Sequence, residues 1–227
     1  APSRAAVTVT LNALERALRA GDGPAAALLA APRAGDVAAR IGALADNAGS
    51  LRLAGLRVGA GEPGADPGWL TVALRWRVPG VDPGPLTSTL RVRLVGEGPA
   101  ARLAALEVDG QAPLWLQGPV TVARARDVVV VAAAGGADAR VLLDEAEAAA
   151  RTVRRVLPGW TPRLAVEAPA DAASYAAVLG VQPGERAADA AVTTTLGDPA
   201  TSRSVRVVLN PDVYAAQGRR GEQVVLA

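Results

Sequence analysis

The sequence predicts an α+β chain in two parts. N-terminal helices and a curved antiparallel sheet, together a cone, come first, and a second α/β module with a mixed sheet follows. Three observations carry this. Apolar residues recur at helical spacing as far as Ala48, then alternate with a period of two from Trp69 onward. The segment Gly110-Gln-Ala-Pro-Leu-Trp-Leu-Gln-Gly-Pro119 breaks the pattern with turn residues at both ends. Beyond it, the run Val128-Val-Val-Val131 precedes a long amphipathic stretch. The parts are therefore expected at 1–112 and 113–227.

In the first part, Val7 to Ala20 places Leu11, Leu14 and Leu18 on one helical face, and Gly21 supplies a stop. Pro24 opens a short helix over 25–31, and Asp36 is placed to cap a third helix through Ala48. Trp69 to Val78 then alternates, with Leu70, Val72, Leu74, Trp76 and Val78 on one face. Leu86 to Val95 does the same with Leu90, Val92 and Leu94, across a Pro- and Gly-rich turn. Leu51–Val58 and Ala101–Val108 supply flanking strands. Pairing Trp76 with Leu90 sets Leu74 against Val92 and Arg75 against Arg91.

In the second part, Trp115 is expected to pack at the boundary. Strands follow over 120–125 and 127–133, the second apolar on both faces. Asp138 caps a helix to Leu157 whose acids lie early and arginines late, which suits the helix dipole and pairs Glu147 with Arg151. A strand at 163–167 and a helix from Asp171 through Leu179, bearing Tyr175, come next. Strands over 190–196 and 204–209 flank Gly197-Asp198-Pro199, and Asn210-Pro211 ends the second. Residues 218–227 read as the first turns of a helix.

Composition excludes several chemistries. All 24 basic residues are Arg, against 22 acids, for a formal charge of +2. The chain has no His, Cys, Met or Phe. Without His or Cys it holds no Ser-His-Asp triad, no Cys-His dyad, no thiolate or imidazole metal cage and no disulfide. A charge this near neutral gives no field for nucleic acid, and no stretch is long and apolar enough for a membrane span. Gly59-Ala-Gly-Glu-Pro-Gly64 has the spacing of a dinucleotide loop, but Asp66-Pro67-Gly68 and a strand follow where a helix is required, so it reads as a hairpin loop. Arg75, Arg77, Arg91 and Arg93 share the outer face of the first sheet. They read either as a face for an anionic partner or as a solvated face balanced by Glu97, Glu107 and Asp109.

The order of helices and then sheet in the first part resembles the nuclear-transport-factor-like (SnoaL-type) fold. Ser204-Val-Arg-Val-Val-Leu-Asn-Pro211 followed by Gly218-Arg-Arg-Gly-Glu-Gln-Val-Val-Leu-Ala227 is similar to the stretch before the His-Glu-x-x-His helix of peptidase MA-like (gluzincin) domains in actinobacterial exported proteins. Trp115, Val128–Val131, the Val166…Tyr175…Leu179 unit and the 190–195 strand agree with that pattern. In that group two His bind zinc and the Glu activates water. None of these residues has a counterpart here, so the resemblance implies a non-catalytic portion that ends before the zinc helix. No catalytic, cofactor-binding or metal-binding residue is expected in this chain, and zinc is implied only for the parent protein. The resemblance further implies an extracytoplasmic or cell-surface location. It makes 190–196 a cleft-edge strand where the backbone of Val192, Thr193 and Thr194 pairs with an extended peptide. The alternative is an interaction module that uses a pocket in the cone or the arginine face, with a peptide or cell-surface component as partner and the oligomeric state open.

Overall fold

A computed structural model describes residues 2–96, 101–161, 163–196 and 204–216. It is an α+β fold of helices and two five-stranded sheets, and it divides into two compact units. The first unit comprises Ala1–Pro79, Pro85–Gly110 and Leu116–Pro119. The second comprises Gly80–Gly84, Gln111–Trp115 and Val120–Ala227.

The first unit opens with α1 (Arg4–Ala20), where the Ser3 hydroxyl accepts the Ala6 N–H and Gly21 closes the helix at φ 65°. Leu11, Leu14 and Leu18 are buried, as their spacing predicts. Gly21 is required twice over. Its φ is left-handed, and a Cβ there would sit 2.9 Å from the Cα of Gly49. The next helix, α2 (Gly23–Ala27), ends sooner than expected and starts earlier, because Asp22, not Pro24, sets its start by accepting the Ala25 N–H. In α3 (Gly35–Ser50), Asp36 lies within the first turn and no side chain caps the helix, which corrects the expected cap.

The first sheet contains β1 (Ala54–Val58), β2 (Glu62–Pro63), β3 (Trp69–Arg77), β4 (Leu86–Val95) and β5 (Arg102–Asp109), in the order β1-β3-β4-β5 with β2 beside β3. All its pairings are antiparallel. The β3–β4 register differs from expectation by four residues: Trp76 faces Leu86, Val72 faces Leu90, and Arg75 faces Thr87 instead of Arg91. The ladder runs on to the turn and stops only beside Pro79 and Pro85, since proline lacks the N–H a further rung would need. The inward side chains Val72, Leu74, Trp76, Leu90, Val92 and Leu94 are all buried and fill the inner face of the sheet.

Groups from the helical segment occupy parts of the β1 and β5 edges of this sheet. On β1, the Val58 N–H donates to Glu15 Oε2 of α1 at 2.9 Å. On β5, the Leu103 N–H reaches Leu29 O, the Ala31 N–H reaches Leu103 O, and Arg40 Nη1 reaches Leu106 O at 3.1 Å. A sheet edge left bare is a template for other strands, and here specific groups occupy it.

In the second unit, β6 (Val120–Arg124) pairs antiparallel with β7 (Val128–Ala133), which runs parallel to β8 (Leu164–Ala168). The full order is β6-β7-β8-β10-β9, with β9 at Ala191–Thr195 and β10 at Val205–Leu209. Thus β10 is parallel to β8 and antiparallel to β9. The valines of β7 are buried on both faces, as the run predicts. Helix α4 (Ala139–Val156) is capped by Asp138 as expected. Its Leu142, Ala146 and Ala149 pack with Val130, Ala132, Val166 and Leu209 in one core. Glu147 and Arg151 do not pair. Both line a surface hollow with Arg126, and there Arg154 pairs with Asp127 at 3.1 Å. Helix α5 (Ala172–Leu179) is capped by Asp171. A short α6 (Pro211–Ala216) was not expected. The Asn210 side chain accepts the Asp212 N–H and Pro211 takes the first helical position, a start signal present in the sequence. The 218–227 helix, the 197–199 turn and Glu97 lie outside the described residues.

Candidate functional site

Two sets of residues expected to meet partners are placed on the two sheets, and a third set emerges that the sequence reading missed. On the outer face of the first sheet, Arg91 is already engaged. It pairs with Asp66 and, at 3.3 Å, with Glu107, and its guanidinium lies 4.8 Å from the Trp69 ring centre. Arg93 also lies over Trp69, at 5.8 Å. Arg75 stands beside Arg57 of β1 across the strand pair, and Arg57 pairs with Glu15 at 3.4 Å. Among the described residues, Arg75, Arg77 and Arg93 form no ion pair. The four arginines therefore do not act as one set: Arg91 is neutralised locally, and the other three have no acidic partner among the described residues.

The strand expected at the cleft edge is β9, and it does lie at the outer edge of its sheet. Two hydrogen bonds fix which backbone groups are free. The Leu196 N–H donates to Ser204 O and the Asn210 N–H to Ala190 O, each at 3.0 Å. In an antiparallel ladder, residues alternate between facing the partner strand and facing away from it. Ala190, Val192, Thr194 and Leu196 therefore direct their N–H and C=O toward β10. Ala191, Thr193 and Thr195 direct theirs outward. Of the three residues expected to pair with a peptide, only Thr193 has its amide and carbonyl on the open side, and Ala191 and Thr195 join it. Asn210 fixes the start of this edge, since its side-chain amide also donates to Ala187 O at 3.1 Å.

The missed feature is a buried charge network in the second unit. Arg206 of β10 is 2% exposed, Glu167 of β8 3% and Asp82 4%. Arg206 Nη2 donates to Asp82 Oδ1 at 2.6 Å, Nη1 to Ser204 Oγ at 2.7 Å, and Nε lies 3.5 Å from Glu167 Oε1. The Ser204 hydroxyl donates to Asp82, and the Leu114 N–H donates to Glu167 Oε2 at 2.8 Å. The guanidinium thus joins three segments far apart in sequence, at Asp82, Glu167 and its own strand, and Glu167 brings in a fourth at Leu114. The sequence signal was a single Glu and a single Arg in two otherwise apolar strands. A charge on a central strand has no water to face and requires an opposite partner.

Burial pushes the Glu167 carboxyl above the usual carboxylate range. Arg206 and the Leu114 N–H pull it back, and Asp82 adds to the rise. A carboxyl whose folded value is raised favours the folded state while protonated. Its contribution is full below the unfolded value, about 4.3, and is lost as pH rises through the folded value. The Glu167→Gln variant is therefore expected to gain stability relative to the parent chain as pH rises from acid to neutral. Urea midpoints of both proteins across that range check this.

The described residues contain no group of three or more carboxylates able to hold a metal ion, and the chain lacks His and Cys. No helix among the described residues is long and apolar enough to cross a membrane. Comparison with family models, with curated proteins and with solved structures found no match.

Proposed function

We propose that the second unit is a strand-accepting scaffold, and that the chain is the non-catalytic portion of an exported zinc-metallopeptidase-like protein working outside the cytoplasm. The single observation behind this is the edge of β9. The first sheet has groups covering parts of its β1 and β5 edges. Outward backbone groups of Ala191, Thr193 and Thr195 have no partner among the described residues. The strand Ala-Val-Thr-Thr-Thr carries no charge or proline of the kind that blunts exposed edges. An extended peptide laid beside it gains main-chain hydrogen bonds at these three residues and extends the mixed sheet by one strand. The zinc-peptidase part of the reading rests on the sequence resemblance.

Proline scanning tests the strand-accepting role. Thr193→Pro removes an outward N–H and leaves the ladder to β10 intact, a position that tolerates proline on an edge strand. Thr194→Pro removes an inward N–H and breaks the ladder. With a fluorescein-labelled, acetylated Thr-Val-Thr-Val-Thr-Val peptide, anisotropy should show saturable binding to the parent chain. Thr193→Pro should weaken it about tenfold or more, the loss of one or two hydrogen bonds, with the far-UV circular dichroism unchanged. Equal binding by the parent and Thr193→Pro removes the strand-accepting role. The peptidase part is judged separately. A parent gene with no His-Glu-x-x-His codons downstream of residue 227 ends it and leaves the β9 edge untouched.

A further inference from the structure

The outer face of the first sheet has an ordered layout. Along β3 and β4, the row Trp69–Arg93 comes first, then Thr71–Arg91, Ala73–Thr89 and Arg75–Thr87, with Arg77 beyond. From Trp69 to Arg75 the strand rise gives a run of ~20 Å. Its floor consists of short side chains, Thr71, Ala73, Thr87 and Thr89. Three of these bring hydroxyls that both donate and accept hydrogen bonds. Cations stand at both ends: Arg93 at one, and Arg75 and Arg77 at the other, all three exposed and without an ion pair among the described residues. The half-buried Trp69 ring lies beside Arg93, held in place by Arg91, which Asp66 and Glu107 fix in turn. Glu107 and Asp109 of β5 line one flank, opposite Arg91 and Thr89. Glu62 of β2 stands across from Thr71 on the other flank, so acids on both sides leave the middle of the row to neutral hydroxyl contacts and the carboxylate contacts to the arginines at its two ends.

From this layout we propose that the outer face of the first sheet binds a linear anionic polysaccharide along β3. Arg93, Arg75 and Arg77 meet its carboxylates, Thr71, Thr87 and Thr89 meet its hydroxyls, and Trp69 stacks on a sugar ring. The complementarity is one of charge and of hydroxyls together. Single-stranded nucleic acid would call for a series of aromatic platforms to stack successive bases, and this face has one. Arg75 stands across from Arg57, whose charge Glu15 already offsets, so Arg75 itself remains the cation that an anion meets at this end of the row.

The probe is polygalacturonate, with dextran as the uncharged glycan and oligo-dT as the polyanion without sugar hydroxyls in the same arrangement, each titrated into the full chain by calorimetry at low and moderate salt. The expected result is saturable binding of polygalacturonate that weakens as salt rises, with neither dextran nor oligo-dT matching it. The double variant Arg75→Glu, Arg77→Glu should weaken binding about tenfold or more, because two screened contacts become repulsive. Trp69→Ala should weaken polygalacturonate while preserving the salt dependence. Arg140→Glu, in the second unit, should leave binding unchanged. Both reversals are at exposed positions, and the one at 75 places an acid across from Arg57, so the variant is expected to fold, which circular dichroism checks. No saturable binding to polygalacturonate, an unchanged affinity in the double variant, or equal or tighter binding of oligo-dT would each overturn the proposal.

Discussion

Arg206→Ala is expected to destabilise the second unit by about 3–5 kcal/mol, the usual cost of deleting one partner from a buried charge pair. The lost guanidinium leaves Asp82 and Glu167 facing each other in the interior with no cation between them. Ser204 also loses the donor at 2.7 Å. Glu167, already pushed up by burial, loses the cation that pulls it back and is driven further toward its protonated form, so the variant should recover part of its stability in acid. Arg206→Lys should recover little, because one ammonium cannot reach Asp82, Ser204 and Glu167 in the fork geometry that guanidinium provides. Hydrogen exchange is the discriminating measurement. Amides of β8 and β10 should lose protection in Arg206→Ala, since these strands carry the network. Unchanged protection there would mean that the buried network contributes nothing net.

Trp76→Ala is expected to cost a similar amount, about 3–5 kcal/mol, in the first unit. The Trp76 side chain is 1% exposed, among the largest fully buried groups in the protein. Its Nε1 donates to the Ser88 hydroxyl at 3.1 Å, and Ser88 is itself buried. Truncation therefore opens a cavity and strips a hydroxyl of a partner at the same time. Trp76→Phe should separate the two effects by keeping most of the volume and losing only the hydrogen bond, at about 1–3 kcal/mol for the unsatisfied hydroxyl. Urea unfolding of the two variants followed by circular dichroism, with exchange at β3 and β4 as the local readout, tests both values.

Local signals in the sequence were read well because they act over a few residues. Asp138 and Asp171 cap the helices assigned to them, and the Val128–Val131 run forms the strand buried on both faces. The β3–β4 register was less accessible for a definite reason. A shift of four residues keeps Val72, Leu74 and Trp76 on the same face, so alternation alone does not choose between registers. Only the length of ladder formed before Pro79 and Pro85 does. The same error moved Arg75 away from Arg91 and concealed that Arg91 belongs with Asp66 and Glu107. At β9 the edge position was legible, and the identity of the open backbone groups was not, because their parity depends on hydrogen bonds made by Leu196 and Asn210. Asp82 gave no sign of its role. It sits in a Pro- and Gly-rich turn, and its partner Arg206 lies more than a hundred residues further along the chain.

The strand order β6-β7-β8-β10-β9 has a consequence for how the chain is made. A ribosome delivers β9 before β10, yet β10 stands between β9 and β8. Until β10 emerges, the growing sheet ends at β8, and β9 has no strand of its own sheet to join. Asp82 and Glu167 are synthesised long before the arginine that neutralises them. Vectorial synthesis therefore passes through a stage with an open parallel edge and two acids awaiting their cation, the kind of non-local closure that folds slowly. The nine residues between β9 and β10 decide when that stage ends, because the second-to-last position of the sheet in space is filled after the last one in sequence has been made.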